Sequence, residues 1–375
     1  VVRVLEYPTP QWSNVGFNSQ NNAKSPYNTS ANGEVLFTLQ ISGDILIDSE
    51  GNLYISTSKG IYSFDSNGNL RWIFNNSDVL GNYSGIVIGR DIVISPKTGD
   101  TLYFINQTTG ERYGSSNIYQ GSSNFAPVMD ANANIYISSE YQVTSGSYKL
   151  VIVPFKLWEF GGNPTIIDLG KNSPLTSPVA NDEIIVVLSE NRLRVIDAKT
   201  LQTKFIKSGD YAPIKPIIGE GNVVYAVLGD SIVAYSVYGS QLWKSKVTGG
   251  IKDKLVIDSD SGLYALNSKG NLYRYDLATG KESLVSNLEI TSGILVGNDG
   301  VLYFAVDDIF YSVDSEGNVL WKSQLDSKIS GNPVMDKNGT IYVSADDKIY
   351  ALGHCSLKDP NLAAGIINNT LVISI

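Results

Sequence analysis

A single cysteine, Cys355, and a single histidine, His354, stand in a chain of 375 residues. One thiol excludes an internal disulfide framework, so stability must come from packing. One imidazole excludes multi-histidine metal sites and makes any Ser-His-Asp arrangement depend on one residue late in the chain. The adjacent pair His354-Cys355 offers at most half of a soft-metal site, because neighbouring side chains point in different directions. Charge is scarce as well: Asp, Glu, Lys and Arg make up 17% of residues against a usual quarter, and their balance is −9. No basic stripe offsets that balance, which argues against nucleic acid, whose phosphates are neutralised by Lys and Arg. No apolar run reaches the ~20 residues of a membrane-spanning helix, so no membrane insertion is expected. Sustained helical periodicity is missing too.

What is present is a period. Val186, Tyr225, Tyr264, Tyr303 and Tyr342 follow one another at intervals of 39 residues inside segments that read alike. Self-similarity of this kind defines a repeat architecture. Each unit holds four short β-branched or aromatic runs separated by Asp, Asn, Ser and Gly, which reads as four strands joined by hairpins. The innermost strand is seen in Ala126-Pro127-Val128-Met129, Thr176-Ser177-Pro178-Val179 and Asn332-Pro333-Val334-Met335. A proline there removes a backbone donor and suits a strand that begins at a channel rim. The second strand carries the repeated tyrosine. The outermost has the pattern Gly-x-x-x-Trp, as in Gly68 to Trp72, Gly239 to Trp243 and Gly317 to Trp321.

Four-stranded units repeated radially make a β-propeller. The expected fold is all-β, with eight blades whose second strands lie near Tyr54, Val93, Tyr136, Val186, Tyr225, Tyr264, Tyr303 and Tyr342. The interval from Tyr136 to Val186 is longer than the others, which places longer hairpin loops in the third blade. The last unit supplies only three strands, while Gly33-Glu34-Val35-Leu36-Phe37 has outermost-strand spacing with Phe37 where Trp belongs. An N-terminal strand completing the last blade would remove two free edges. The division expected is a lead-in with an N-terminal strand over 1–32, the propeller over 33–355, and a tail with a terminal strand over 356–375.

With these units in view, the chain resembles the pyrroloquinoline quinone (PQQ) repeat family, whose blades carry Trp-docking patterns like Gly317 to Trp321. The lead-in from Pro10-Gln11-Trp12-Ser13 to Asn21-Asn22-Ala23-Lys24-Ser25-Pro26-Tyr27 is similar to the segment before the first blade in that family. The resemblance covers roughly residues 8 to 355 and implies the propeller fold. It leaves function open, because the family includes quinone-dependent dehydrogenases and non-catalytic relatives such as outer-membrane assembly lipoproteins. The dehydrogenases of the family are longer, sandwich the quinone between a Trp floor and a vicinal Cys-Cys disulfide, and hold calcium nearby. With Cys355 alone the vicinal disulfide is impossible here. We therefore expect the non-catalytic branch, no enzyme activity and no cofactor.

The acidic turns Asp48 to Asn52, Asp65 to Asn69, Asp258 to Gly262 and Asp314 to Asn318 superficially resemble calcium loops, but none has EF-hand spacing. They fall where hairpins must turn, and no metal site is expected. If a small ligand or sugar binds, the channel mouth is the default place, where inner strands converge. The repeat register puts Asn124, Phe125, Lys215, Lys252, Asp253, Lys254 and Asn332 there. Glycosylation acceptors occur at Asn28, Asn75, Asn82, Asn106, Asn338 and Asn368.

The ends read as strands outside the blade count. Leu371, Ile373 and Ile375 would share one face of a terminal strand, and such a strand seeks an edge, in cis or on a neighbouring copy. The chain begins at Val1 without Met and has few charges among many Tyr, Ser, Asn and Gly. This leads us to expect a removed leader and an extracellular or cell-surface location. The expected function is a secreted, non-catalytic scaffold for protein-protein contact, with copies of itself among the candidate partners. Carbohydrate or small-ligand binding at the channel mouth, and quinone-dependent dehydrogenation, stand as the alternatives.

Overall fold

The computed structural model describes residues 18–354 except 19, 22–23, 30, 76–82, 90–91, 97–100, 118–120, 123–124, 131, 133, 142–146, 154–163, 172 and 259–261, together with the backbone of 363–367 and 370–374. These residues form consecutive antiparallel sheets, each a meander of short strands. In the first, Asp44–Ile47, Leu53–Thr57, Gly60–Phe64 and Leu70–Phe74 pair in chain order. The second runs from Tyr83–Ile88 to Arg112–Asn117, the fourth from Val179–Ala180 to Thr203–Ser208, and the fifth from Ile217–Ile218 to Gln241–Lys246. The sixth runs from Ile251–Asp258 to Glu282–Ser286 and the seventh from Leu295–Val296 to Val319–Gln324. In the third, Ile135–Tyr141, Ser147–Val153 and Thr165–Gly170 follow an inner strand split into Gly121–Ser122 and Val128–Met129, so five strands stand where four were expected. A 3-10 turn at Glu220–Asn222 is the only helical element among the described residues.

The 39-residue period is the spacing of core residues. Tyr54, Tyr264, Tyr303 and Tyr342 are fully buried on second strands, and Tyr136, Val186 and Tyr225 occupy the same place in their sheets. A buried phenol needs a partner, and the turn before it supplies one. Tyr54 donates its hydroxyl to Asp48 Oδ2 at 2.7 Å, and Asp48 Oδ1 accepts the backbone N–H of Glu50 and Asn52 at 2.9 Å each. Asp130 with Tyr136, and Asp336 with Tyr342, repeat the arrangement. The acidic inner turns are thus hairpin caps that double as anchors for the core tyrosine, as local side-chain hydrogen bonding favours. Replacing Asp48 by Ala should cost about 1–3 kcal/mol, because a buried hydroxyl and two backbone donors lose their acceptor. Tyr54→Phe should cost less, since Asp48 keeps its backbone donors. Denaturant unfolding of the two variants checks the order.

The outer strands explain the Gly-x-x-x-Trp pattern. In six sheets the strand carries a bulge, at Leu36, Arg71, Tyr113, Lys204, Leu242 and Leu320, and in all but the second sheet, where Gly114 follows, it comes directly before an aromatic that packs inward. A bulge re-aims the next side chain and blunts an edge. The aromatic so aimed lies on a glycine of the next sheet: Trp72 on Gly110, Phe205 on Gly239 and Trp243 on Gly280. Trp72 and Trp243 also donate their indole N–H to the carbonyls of Gln107 and Leu277. A Cβ on Gly280 would lie 2.6 Å from the Trp243 ring, and the turn there needs φ +70. Glycine meets both demands.

The same rule accounts for the N-terminal strand. Glu34–Leu39 pairs antiparallel with Ile349–Gly353, outermost in a sheet with Val334–Met335 and Ile341–Ser344. Trp321 of the seventh sheet lies on Gly33, and Phe37 lies on Gly68 of the first sheet. Thus residues from the start of the chain meet both the seventh and the first sheets. Gly43 N–H also donates to Ser344 Oγ at 3.1 Å, and Ser42 Oγ to the Asp346 carbonyl at 3.1 Å.

The lead-in crosses several sheets before it enters that strand. The Ile218 N–H donates to the Gln20 carbonyl at 3.2 Å, Lys24 pairs with Asp258, Ser25 N–H donates to the Val296 carbonyl at 2.8 Å, and Thr29 Oγ1 donates to the Gly339 carbonyl. At the other end, Ala363–Ile367 and Thr370–Ser374 form a two-stranded hairpin. The terminal strand expected over Leu371 and Ile373 is there, but one of its edges is already paired within the tail. Ile375, Val1 to Tyr7, Asn82, Asn124 and Asn368 lie outside the described residues.

Candidate functional site

The inner strands are paired only in short stretches, and the gaps make the site. In the third sheet the strand leaves its neighbour between Gly121–Ser122 and Val128–Met129. In the fourth and fifth, single bridges Pro174–Ser189 and Tyr211–Leu228 stand apart from the paired Val179–Ala180 and Ile217–Ile218. Pro127, Pro178 and Pro216 fall in these gaps, where the missing N–H and the ring work against ladder pairing. The detached residues line a cavity of about 390 Å³, walled by Phe125–Val128, Leu175–Ser177, Pro213–Lys215, Asp44, Lys254, Leu255 and Asn21 of the lead-in. That volume lies in the range of small-molecule sites, as does an apolar wall with a few convergent polar groups.

One register position supplies most of the polar groups. Two residues before the strand residue that pairs opposite the core tyrosine stand Asp44, Ala126, Lys215, Lys254, Gly293 and Asn332, with Ser177 at the matching place in the fourth sheet. Across this set Lys254 Nζ donates to Asn332 Oδ1, and Ser177 Oγ donates to the Ala126 carbonyl at 2.8 Å. Gly293 leaves room for Asn332, whose Oδ1 would be 2.0 Å from a Cβ there.

The electrostatics follow from enclosure. Burial, with the nearby Lys254 charge adding to it, pushes the Lys215 ammonium down from 10.5 to about 7. Burial also pushes the Asp44 carboxyl above its ordinary value, against the downward pull of Lys254. Asp44 is itself exposed at the cavity wall. Among the described residues Lys215 Nζ has no hydrogen bond or ion pair, and only its backbone carbonyl is engaged, by Asn21 Nδ2 at 3.4 Å.

Of the residues expected at the mouth, Phe125, Lys215 and Lys254 line the cavity and Asn332 reaches it through Lys254. Lys252 does not: its Nζ donates to the Ile290 carbonyl at 2.8 Å, next to the seventh sheet. Asp253 has its backbone in the strand Ile251–Asp258, and its side chain is outside the described set. Asp44, Ser177 and Asn21 went unnoticed in the sequence. Counting ten residues back from each core tyrosine would have found Asp44; Asn21 carries no such signal.

The other candidates lie elsewhere. His354 is exposed, and Cys355 is outside the described residues. Asn28, Asn75 and Asn338 are exposed, while Asn106 caps a turn by accepting the N–H of Thr108 and Thr109. Trp72, Trp243 and Trp321 sit on outer strands, away from the cavity lining. A quinone held as in the dehydrogenases needs a Trp floor and a vicinal disulfide, and the described residues of this cavity include neither, so they do not fit that group.

Comparison with known proteins places the repeat. Residues 268–354 match the family model described as PQQ_2, outer membrane protein assembly factor BamB. The quinohemoprotein alcohol dehydrogenase from Comamonas testosteroni superposes with a TM-score of 0.69 at 11% identity, over 97% of this chain and 84% of that one. BamB from Moraxella catarrhalis superposes with a TM-score of 0.64 at 13% identity, over 86% of this chain and 100% of that one. At such identities the likeness is one of fold. No curated protein sequence matches the chain.

Proposed function

We propose, from the premise that this chain is built of PQQ-type β-propeller repeats, that it is a non-catalytic scaffold for protein-protein contact, working outside the cell or on its surface. In this reading the sheets are eight blades and the strand Glu34–Leu39 closes the ring. The observation that carries it is the perimeter. Leu36, Leu70, Tyr113, Leu242, Leu284 and Leu320 lie on the outer strands of six sheets, and each is at least 41% exposed. In Leu36, Leu242 and Leu320 the exposed residue is the bulged one, directly before the inward aromatic. Packing therefore explains the anchor and leaves its neighbour to meet something else. Edge strands with apolar side chains and free backbone groups suit an extended protein segment as partner. The BamB likeness is to an outer membrane protein assembly factor, which supports an interaction role.

Self-association is the first partner to test, since the tail hairpin brings its own edge strand. Light scattering and negative-stain microscopy should show concentration-dependent assemblies of the full chain. They should be lost in Leu242→Lys/Leu320→Lys if the perimeter is the contact, or on removal of 363–375 if Leu371, Ile373 and Ile375 make it. Monomers from all three would remove self-association. Oxidation of an alcohol that depends on added quinone and calcium, read with an artificial electron acceptor, would overturn the non-catalytic reading.

A further inference from the structure

The channel cavity goes beyond the perimeter and stands or falls separately from it. Among the described residues the cavity's charges do not balance. Two ammonium groups, Lys215 and Lys254, face one carboxylate, Asp44, and Lys254 is the group that meets both Asp44 and Asn332. Lys215 is left over, with another cation as its nearest electrostatic influence. A cation withdrawn from water beside a second ammonium is unfavourable unless something offsets it. Beside it the wall is hydrocarbon: Phe125, Leu175, Ile214 and Leu255. One unanswered positive charge among apolar lining residues describes a small organic monoanion.

We propose that the cavity binds a small organic monocarboxylate, its carboxylate on Lys215 Nζ and its hydrocarbon body against Phe125, Leu175 and Ile214. The polar atoms of Thr176 and Ser177 lie on the same wall and suit a second, uncharged polar group on the ligand. A dianion is disfavoured, because Asp44 already answers Lys254. Binding would replace the repulsion of one lysine by another with an attraction inside a half-open cavity, where a charge-assisted hydrogen bond is stronger than in water.

The test uses the full chain with benzoate and its neutral isostere benzamide, by titration calorimetry and saturation-transfer NMR. Benzoate should bind at least about tenfold more tightly than benzamide, a difference of about 1.4 kcal/mol. Lys215→Met, which keeps the unbranched stem and removes the ammonium, should erase that preference while benzamide binding stays. A second readout needs no variant: after reductive methylation with ¹³C-formaldehyde, the Lys215 methyl signal should titrate at higher pH with benzoate present, because a bound anion favours the ammonium form. Absence of saturable benzoate binding, equal binding of the two probes, or an unchanged preference in Lys215→Met would each overturn the proposal. An unmoved Lys215 titration in a chain that does bind benzoate would do so too, by placing the anion elsewhere.

Discussion

Trp243→Ala should destabilise the protein by about 3–5 kcal/mol, the range for truncating a buried aromatic to alanine. The residue is 7% exposed, packs 5.8 Å from the Tyr225 ring, and donates its indole N–H to the Leu277 carbonyl of the next sheet at 2.8 Å. Its loss removes apolar contact in its own sheet and the clasp to the sixth. Gly280→Val should do comparable damage from the other side, since a side chain there would enter the space of the ring at a φ that β-branched residues avoid. Because both lesions break one contact, the double variant should be destabilised by clearly less than the sum. Denaturant unfolding of the three variants provides the measurement, and full additivity would mean that the ring and the glycine do not act as a unit.

Lys215→Met should stabilise the protein, by up to about 5 kcal/mol at pH 6, and the gain should fade as the pH rises. In the folded chain this lysine is pushed down to about 7, whereas its ordinary value is 10.5. Between those two values the unfolded chain binds the proton more readily than the folded one, so the stability of the unaltered protein rises with pH across that window. Below about 7 the full penalty of holding the ammonium in the cavity is present; above 10.5 it is gone. Methionine carries no such penalty at any pH, so the two unfolding free energies should converge above pH 10.5. A variant less stable at pH 6, or a difference that does not change with pH, would show that the Lys215 charge is already well solvated in the folded state.

Much of this architecture was legible because it is periodic. A core tyrosine every 39 residues, a turn rich in Asp and Asn ahead of it, and Gly-x-x-x-Trp on the outer strand are local demands that each repeat restates. Glu34–Leu39 could be assigned to the final sheet because Phe37 stands in the Trp position of that pattern. The split inner strand of the third sheet was not read, although Pro127 was in view. A missing donor shows where pairing fails, not whether the chain resumes pairing on the far side.

The site was legible only in part. Lys215, Lys254 and Asn332 were reachable from the register, since a strand position repeated in every unit must face the same way. The repeat register also puts Lys252 there, at the start of an inner strand, but the sheet shifts register between Ile251 and Leu255, and its Nζ turns to the Ile290 carbonyl instead. Asn21 comes from a segment with no repeat at all, and it reaches Lys215 from nearly two hundred positions away.

What the sequence determined by itself is therefore the strand content, the turns, the aromatic anchors and the order of the sheets, all of which follow from hydrogen-bonding and burial needs met within a single unit or between neighbours. Tertiary structure alone decided which charges share the cavity, that among the described residues Lys215 has no carboxylate to answer it, and that Leu36, Leu242 and Leu320 at the bulges stay exposed. Charge pairing and enclosure depend on distances between units far apart in the chain, and a period along the sequence fixes the facing of a residue but not what stands opposite it.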